Sequence, residues 1–171
     1  LRLQSEVAQA IAREVRVRLT PGEQARLSNR ARVNPRAHEA LLKGYHHMLK
    51  LELKEVLRGR EYFQQAIAED PGYAPAYAGL ADTYCLFAFF GLLPPGEVMP
   101  RAKEAATKAL EIDVELAEAH ASLASIKKVY DWDWPAAEAE YQRALELNPN
   151  YAAAHHWYAD FLSAMGRSAE A

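Results

Sequence analysis

Apolar residues recur at helical spacing along most of the chain, and nowhere do they alternate with the period of two that marks a half-buried strand. Leu3, Val7, Ile11 and Val15 stand four apart and predict a lead helix over about 3–19. Thr20-Pro21-Gly22-Glu23 then reads as a capping box, opening a short second helix to about Asn29. Paired helices follow at about 35–52 with 54–69, 74–90 with 97–112, and 116–130 with 135–147, and a last helix covers about 151–165. Each pair has one apolar face that only a neighbouring pair can cover.

The pairs are copies of one another. AIAEDPGYAPAYAGLA from Ala66, ALEIDVELAEAHASLA from Ala109 and ALELNPNYAAAHHWYA from Ala144 share one register, with steps of 43 and 35 residues. A fixed period of 20 to 50 residues marks a stacked repeat array. Small residues fall where two antiparallel helices must approach: Gly44, Gly59 and Ala66 in the first copy, Ala81, Ala102 and Ala109 in the second, Ala124, Ala137 and Ala144 in the third, and Ala159 with Ala171 in the last. Leu123 and Tyr141 are the large residues that fill the gaps between them. Asn34-Pro35, Asp70-Pro71 and Asn148-Pro149 punctuate the helices, whereas the second copy has Asp113-Val114, a junction expected to be less rigid.

The spacing of Leu123, Ala124, Ala137, Tyr141, Ala144 and Asn148-Pro149 resembles a tetratricopeptide repeat (TPR). That resemblance implies an all-α fold, a right-handed superhelix of stacked hairpins. We expect an N-terminal helical extension over 1–33 and a repeat array over 34–171, with units at about 34–72, 73–114 and 115–149 and a truncated fourth at 150–171. The resemblance also implies a concave ligand groove lined by the first helix of each unit. Carried onto this chain, its positions are Leu41, Tyr45 and Met48; Ala78, Asp82 and Cys85; Ala121, Ser125 and Lys128; and His156, Asp160 and Ser163. Leu41 and Tyr45 stand where the Lys and Asn of a carboxylate clamp would be, which disfavours a receptor for chaperone tails.

Over nearly the whole chain, LRLQSEVAQAIAREVRVRLTPGEQARL, NPRAHEALLKGYHHMLK, the FFGLLPPGE corner and YDWDWPAAEAEYQRALELNPNYAAAHHWYADFLSAMGR are similar to the C-terminal repeat region of multidomain bacterial signalling proteins. In those, such repeats lie behind a cyclase, a serine/threonine kinase or a winged-helix domain. The likeness identifies a module, and no catalytic motif of those output domains is present in the sequence.

Two departures from the repeat stand out. The second copy carries nine extra residues between its small positions, falling in Phe87–Pro100, which we expect to form an ordered extended corner, packed locally or else offered to a partner. The third has the corner Asp131-Trp132-Asp133-Trp134-Pro135, where packing of one indole against the hairpin is the simpler expectation and an exposed indole would mark a binding edge.

Composition adds bounds. Of 171 residues, 50% are hydrophobic and 25% charged, enough for a sizeable core, and the longest apolar runs, such as Cys85–Leu93, fall well short of the roughly 20 residues of a membrane helix. The net charge of -3 hides an asymmetry: residues 1–36 carry eight Arg against three Glu, the remainder twelve basic against twenty acidic groups. The arginines are interleaved with Glu6, Glu14 and Glu23 on helical faces, which favours a solvated face, or docking on an acidic surface, over a nucleic-acid arm. Cys85 is alone and reads as a small buried hydrophobe. His46-His47 and His155-His156 are adjacent pairs whose rings diverge by about 100° on a helix, so neither makes a metal-ligand face, and His120 and His155 occupy the repeat position of Tyr77, where packing explains them. No glycine-rich phosphate loop is present, and no cofactor is implied.

The sequence therefore reads as a non-catalytic, cytoplasmic interaction scaffold whose partner is a peptide or a neighbouring domain of a larger signalling protein. A small-molecule sensor near Tyr45, Cys85 and Phe89-Phe90, and a nucleic-acid accessory using the basic front, are the alternatives. The opening Leu, inside a helical pattern, suggests a piece of a longer chain. Trp157, Tyr158, Phe161 and Leu162 on the last helix predict an apolar face that a second copy could cover.

Overall fold

In the computed structural model, residues 34–170 are described, and they contain seven α-helices and no strand. These are α1 (Pro35–Met48), α2 (Leu53–Glu69), α3 (Ala74–Phe89), α4 (Pro95–Ile112), α5 (Ala117–Ile126), α6 (Trp134–Leu147) and α7 (Ala152–Ala164). The extension expected over 1–33 lies outside the described residues, as does Ala171. Hairpins α1/α2, α3/α4 and α5/α6 stack in chain order, α7 follows, and α1, α3, α5 and α7 lie side by side. That last contact is what makes one wall of a helical superhelix from the first helix of every hairpin.

The stack starts from a capping residue with two tasks. Asn34 Oδ1 accepts from Arg36 N at 2.9 Å, satisfying a free amide of α1, while its Nδ2 donates to Glu69 O at 2.9 Å at the far end of α2. The three later junctions repeat one another atom for atom. Asp70, Asp113 and Asn148 each accept from the amide two residues on, at 3.0, 3.0 and 3.2 Å. The second junction has the geometry of the others despite Val114, because the side-chain turn rather than the proline builds it.

Close crossings surround one aromatic ring. A Cβ on Gly59 would come within 2.9 Å of Gly44 O, so α1 and α2 touch backbone to backbone. A Cβ on Gly44 or on Gly79 would come within 2.5 Å of Phe63, so that buried ring fills a slot between α1 and α3. Ala66, Ala81, Ala102, Ala109, Ala124, Ala137 and Ala144 are all fully buried, Tyr141 nearly so, and Leu123 packs at the edge of the central core. Ala159 is only half-buried.

Three boundaries differ from the pattern. α1 stops at Met48, and Leu51 adopts a left-handed φ of 57°, although no glycine marks the turn. The apolar run through Leu49, Leu51 and Leu53 simulates a longer helix, but all three are exposed. α5 ends at Ile126 and widens into a π-helical turn over Lys127–Asp131, closed by Trp132 at φ 56°.

The expected extended corner over Phe87–Pro100 is mostly helix. α3 runs to Phe89 and ends in a Schellman motif, with Gly91 at φ 63° and Leu92 N donating to Phe87 O at 2.8 Å. α4 starts at Pro95, where a fixed φ and a missing N–H cost nothing. Pro100 forgoes a bond to the Gly96 carbonyl, and both residues lie on the exposed face of α4, where water can replace it. Val98, Met99 and Ala102 on the opposite face are buried with Tyr84 and Phe87.

Candidate functional site: the concave face

The groove positions drawn from the sequence divide into two groups. Leu41, Ala78 and Ala121, three before the small residue in each of the first three units, are buried in core clusters and do not line an open surface. Met48 is also core, its sulfur accepting from Thr83 Oγ1 at 3.6 Å. An α-helix places positions i−3 and i+1 on one stripe, and in this tightly coiled stack that stripe is partly consumed between neighbouring first helices. Tyr45, Asp82, Cys85, Ser125 and Lys128 are partly exposed, and His156, Asp160 and Ser163 are exposed.

Several of these side chains already have partners. Lys128 forms a direct ion pair with Asp160, joining α7 to the turn after α5. Ser125 Oγ and Tyr141 OH are 3.0 Å apart. Both contacts occupy groups that the sequence offers for a ligand.

Asp82 differs. Its Oδ1 accepts from Ser122 Oγ on α5 at 2.5 Å, and no lysine, arginine or histidine among the described residues pairs with it. Its pKa is pushed up to about 7, first by burial, then by the nearby Glu118 carboxylate, with the Ser122 hydroxyl acting in the opposite direction. The Asp82 residue is only partly exposed, and the wall around it excludes solvent that would stabilise the charge. The same field extends to Tyr45, on α1 against Phe63, and to Tyr151, just before α7: both phenols are pushed well above their ordinary value, chiefly by burial and then by Asp82. Burial likewise pushes the Cys85 thiol up, which leaves it protonated and unreactive.

Ser122, Glu118 and Tyr151 were not among the sequence-derived positions. Glu118 and Ser122 are four apart on α5 and sit two turns and one turn before Ser125, a spacing that could have found them. Tyr151 lies outside a helix, and only its equivalence to Tyr73, 78 residues upstream at the same junction, points to it.

His120 and His155 are structural. Tyr77 OH donates to Pro71 O at 3.2 Å, His120 Nε2 lies 3.0 Å from Val114 O, and His155 Nε2 lies 2.8 Å from Pro149 O. One repeat position thus ties α3, α5 and α7 each to the carbonyl six residues upstream. His120 Nδ1 also meets Glu140 at 2.6 Å, and Lys127 Nζ reaches the other oxygen of Glu140 at 2.8 Å. With a carbonyl on one nitrogen and a carboxylate on the other, His120 satisfies both only as imidazolium, and its pKa is raised accordingly. Among the described residues no group of three or more His, Cys, Asp or Glu could hold a metal ion, and no helix is long and apolar enough to cross a membrane.

At the other departure from the repeat, the tryptophan corner is open. Trp132 is 71% and Trp134 41% exposed, their rings 6.1 Å apart, so the expected packing of an indole against the hairpin is not what forms. The π-helical turn and the left-handed Trp132 swing both rings outward, while Asp131 pairs with Lys103 at 2.6 Å and Asp133 caps α6.

α7 does not present the apolar face expected of it. Phe161 and Leu162 are buried, Tyr158 stacks on Tyr141, and Phe89 meets Trp157. Its exposed residues are Ala152, His155, His156, Asp160, Ser163 and Ala164, which are small or polar.

Comparison with known proteins agrees with this architecture. Residues 140–171 match the tetratricopeptide repeat family model. Solved structures with the same fold include the Arabidopsis OM64 TPR domain (18% identity, 75% of this chain and 95% of that one, TM-score 0.56). The first TPR of Spaghetti (RPAP3) bound to HSP90 peptide SRMEEVD is 17% identical over 77% of this chain and 94% of that one, at a TM-score of 0.55. The first TPR domain of the human RPAP3 protein is 15% identical over 80% of this chain and 97% of that one, at 0.57. In sequence, 79 residues, 46% of the chain, are 32% identical to "Putative adenylate cyclase 3" of Rhizobium meliloti (strain 1021), of whose length they span only 14%. The stacked hairpins of this chain have the fold of tetratricopeptide repeat domains, and residues 140–171 match that repeat in sequence as well.

Proposed function

We propose that this chain is a non-catalytic interaction module that holds an extended peptide, or a segment of a neighbouring domain, along its concave face. The observation that carries this reading is the set of part-exposed polar and aromatic side chains, Tyr45, Asp82, Ser125 and Tyr151, gathered from three helices and a junction onto one curved wall. Such a wall can offer alternating pockets and hydrogen-bonding groups to an extended chain. The neighbour with an HSP90 peptide bound supports the use of this fold for peptides. Its ligand, SRMEEVD, is rich in carboxylates, whereas the centre of this groove holds carboxylates of its own, so a different peptide chemistry is selected here.

The Rhizobium relative supports a place within a larger bacterial, cytoplasmic signalling protein, where the module would bring an output domain to its target or restrain it. The exposed Trp132–Trp134 corner supplies a second surface. Peptides selected by display against the whole chain, followed by NMR shift mapping, test the reading. Perturbed amides are expected on α1, α3, α5 and α7; perturbation confined to α2, α4 and α6, or to the tryptophan corner, would overturn it.

A further inference from the structure

Within the groove, charge is distributed unevenly. Most carboxylates next to the repeat interfaces are neutralised inside the molecule: Glu55 by Lys50 and His47, Glu140 by His120 and Lys127, Glu138 by Arg167, and Asp160 by Lys128. Asp82 and Glu118, on adjacent first helices, have no such cation among the described residues. Ser122, four residues after Glu118 on the same face of α5, holds the Asp82 carboxylate at 2.5 Å and so brings the two acids to one place on the wall, and the phenols of Tyr45 and Tyr151 are pushed up in part by the Asp82 charge.

The hydroxyl of Ser122 fixes the Asp82 carboxylate through one oxygen, leaving the other to a ligand. Two carboxylates from facing helices, set among tyrosine rings, match a cation in charge, and the rings can add cation–π attraction. A neutral or anionic ligand would leave both carboxylates desolvated and unpaired, which penalises it.

Resting on the peptide-binding reading above, we propose that Asp82 and Glu118 form a receptor for one basic side chain, the guanidinium of arginine or the ammonium of lysine, of an extended peptide segment lying in the groove. Entry of that cation supplies the counter-charge that these two carboxylates do not find among the described residues. The basic residue would thus set the register of the bound segment against the repeats.

The test uses the whole chain, immobilised, and four pools of decapeptides randomised at nine positions with Arg, Lys, norleucine or Glu fixed at the centre. We expect the Arg and Lys pools to be retained at least about fivefold more than the norleucine and Glu pools, as a charge-assisted bond in a partly desolvated site requires. Asp82→Asn, which can still accept from Ser122, and Glu118→Gln should each reduce that preference and together abolish it, with helicity unchanged. Glu111→Gln, an exposed carboxylate on α4 paired with Lys108, should leave it intact and so separates a specific receptor from diffuse charge. Equal retention of all four pools, or a preference that survives the double change, overturns the receptor while leaving a peptide groove standing. Retention of no pool overturns both.

Discussion

The Phe89 ring meets the Trp157 indole edge to face, with centroids 5.5 Å apart and planes at 76°, and so joins the end of α3 to α7. In a stack of this kind each hairpin touches its immediate neighbours, and α5 lies between these two helices. The long α3 makes the reach: it carries Phe89 past the end of the shorter α5 before Gly91 turns the chain back. The added residues of the second repeat therefore act as a strut across the stack.

This strut is weak by area, since Phe89 is 65% exposed, and its value lies in the ring geometry. Aromatic pairs contribute about 0.5–1.5 kcal/mol beyond buried area. A double-mutant cycle of Phe89→Ala and Trp157→Ala, read by urea denaturation, is expected to give a coupling energy in that range. A coupling indistinguishable from zero would mean that the rings do not meet in solution.

The repeats were legible in the sequence because their spacing is enforced by packing. Ala124, Ala137 and Ala144 had to be small for α5 and α6 to cross, and a period is visible wherever such a demand recurs. Less legible were features set by tertiary context alone. Nothing local distinguishes Leu51 or Trp132 as left-handed, since both are residues that avoid that region. The helical start at Pro95 was hidden by a proline and glycine composition that usually means loop. In the groove, the family positions located Asp82 but gave no sign that Lys128 and Asp160 would satisfy each other, or that Ser122 would reach across to Asp82. Pairings between repeats depend on how tightly the superhelix coils, which no single repeat encodes.

Gly79 provides a direct check on the packing. Replacing it with Ala puts a methyl within 2.5 Å of the Phe63 ring, which is already held on its other side by Gly44. Overpacking of this kind costs about 1–3 kcal/mol. Gly96→Ala, in the first turn of α4 with nothing within 4 Å, should be neutral or stabilising by up to about 1 kcal/mol, as the flexibility of glycine is lost from the unfolded chain. Chemical denaturation of the two variants should separate them clearly, and equal stabilities would show that the Phe63 slot can open at no cost.

His120, Glu140 and Asp82 each make stability vary with pH. His120 has a raised pKa in the fold, so its pairing with Glu140 contributes fully below the unfolded imidazole value of 6.5 and is lost as pH rises through the folded value. Glu140 is held below its ordinary 4.5, so its contribution is present above that value and fades as the medium turns more acidic than its folded pKa. Asp82 acts with His120: raised from 3.8 to about 7, it keeps its proton in the fold while the unfolded chain ionises, so a penalty grows between those two values and is constant above them. From these three groups stability should be greatest near pH 4.5 and decline from there toward pH 8, first through Asp82 and then through His120 as well. Asp82→Asn removes the buried charge while keeping the bond from Ser122, and is expected to stabilise the protein at pH 8 by about 1–3 kcal/mol and to change little at pH 4. Urea denaturation of both proteins at the two pH values reads the difference directly. An equal gain at pH 4 and pH 8 would show that Asp82 ionises in the fold as freely as it does in water.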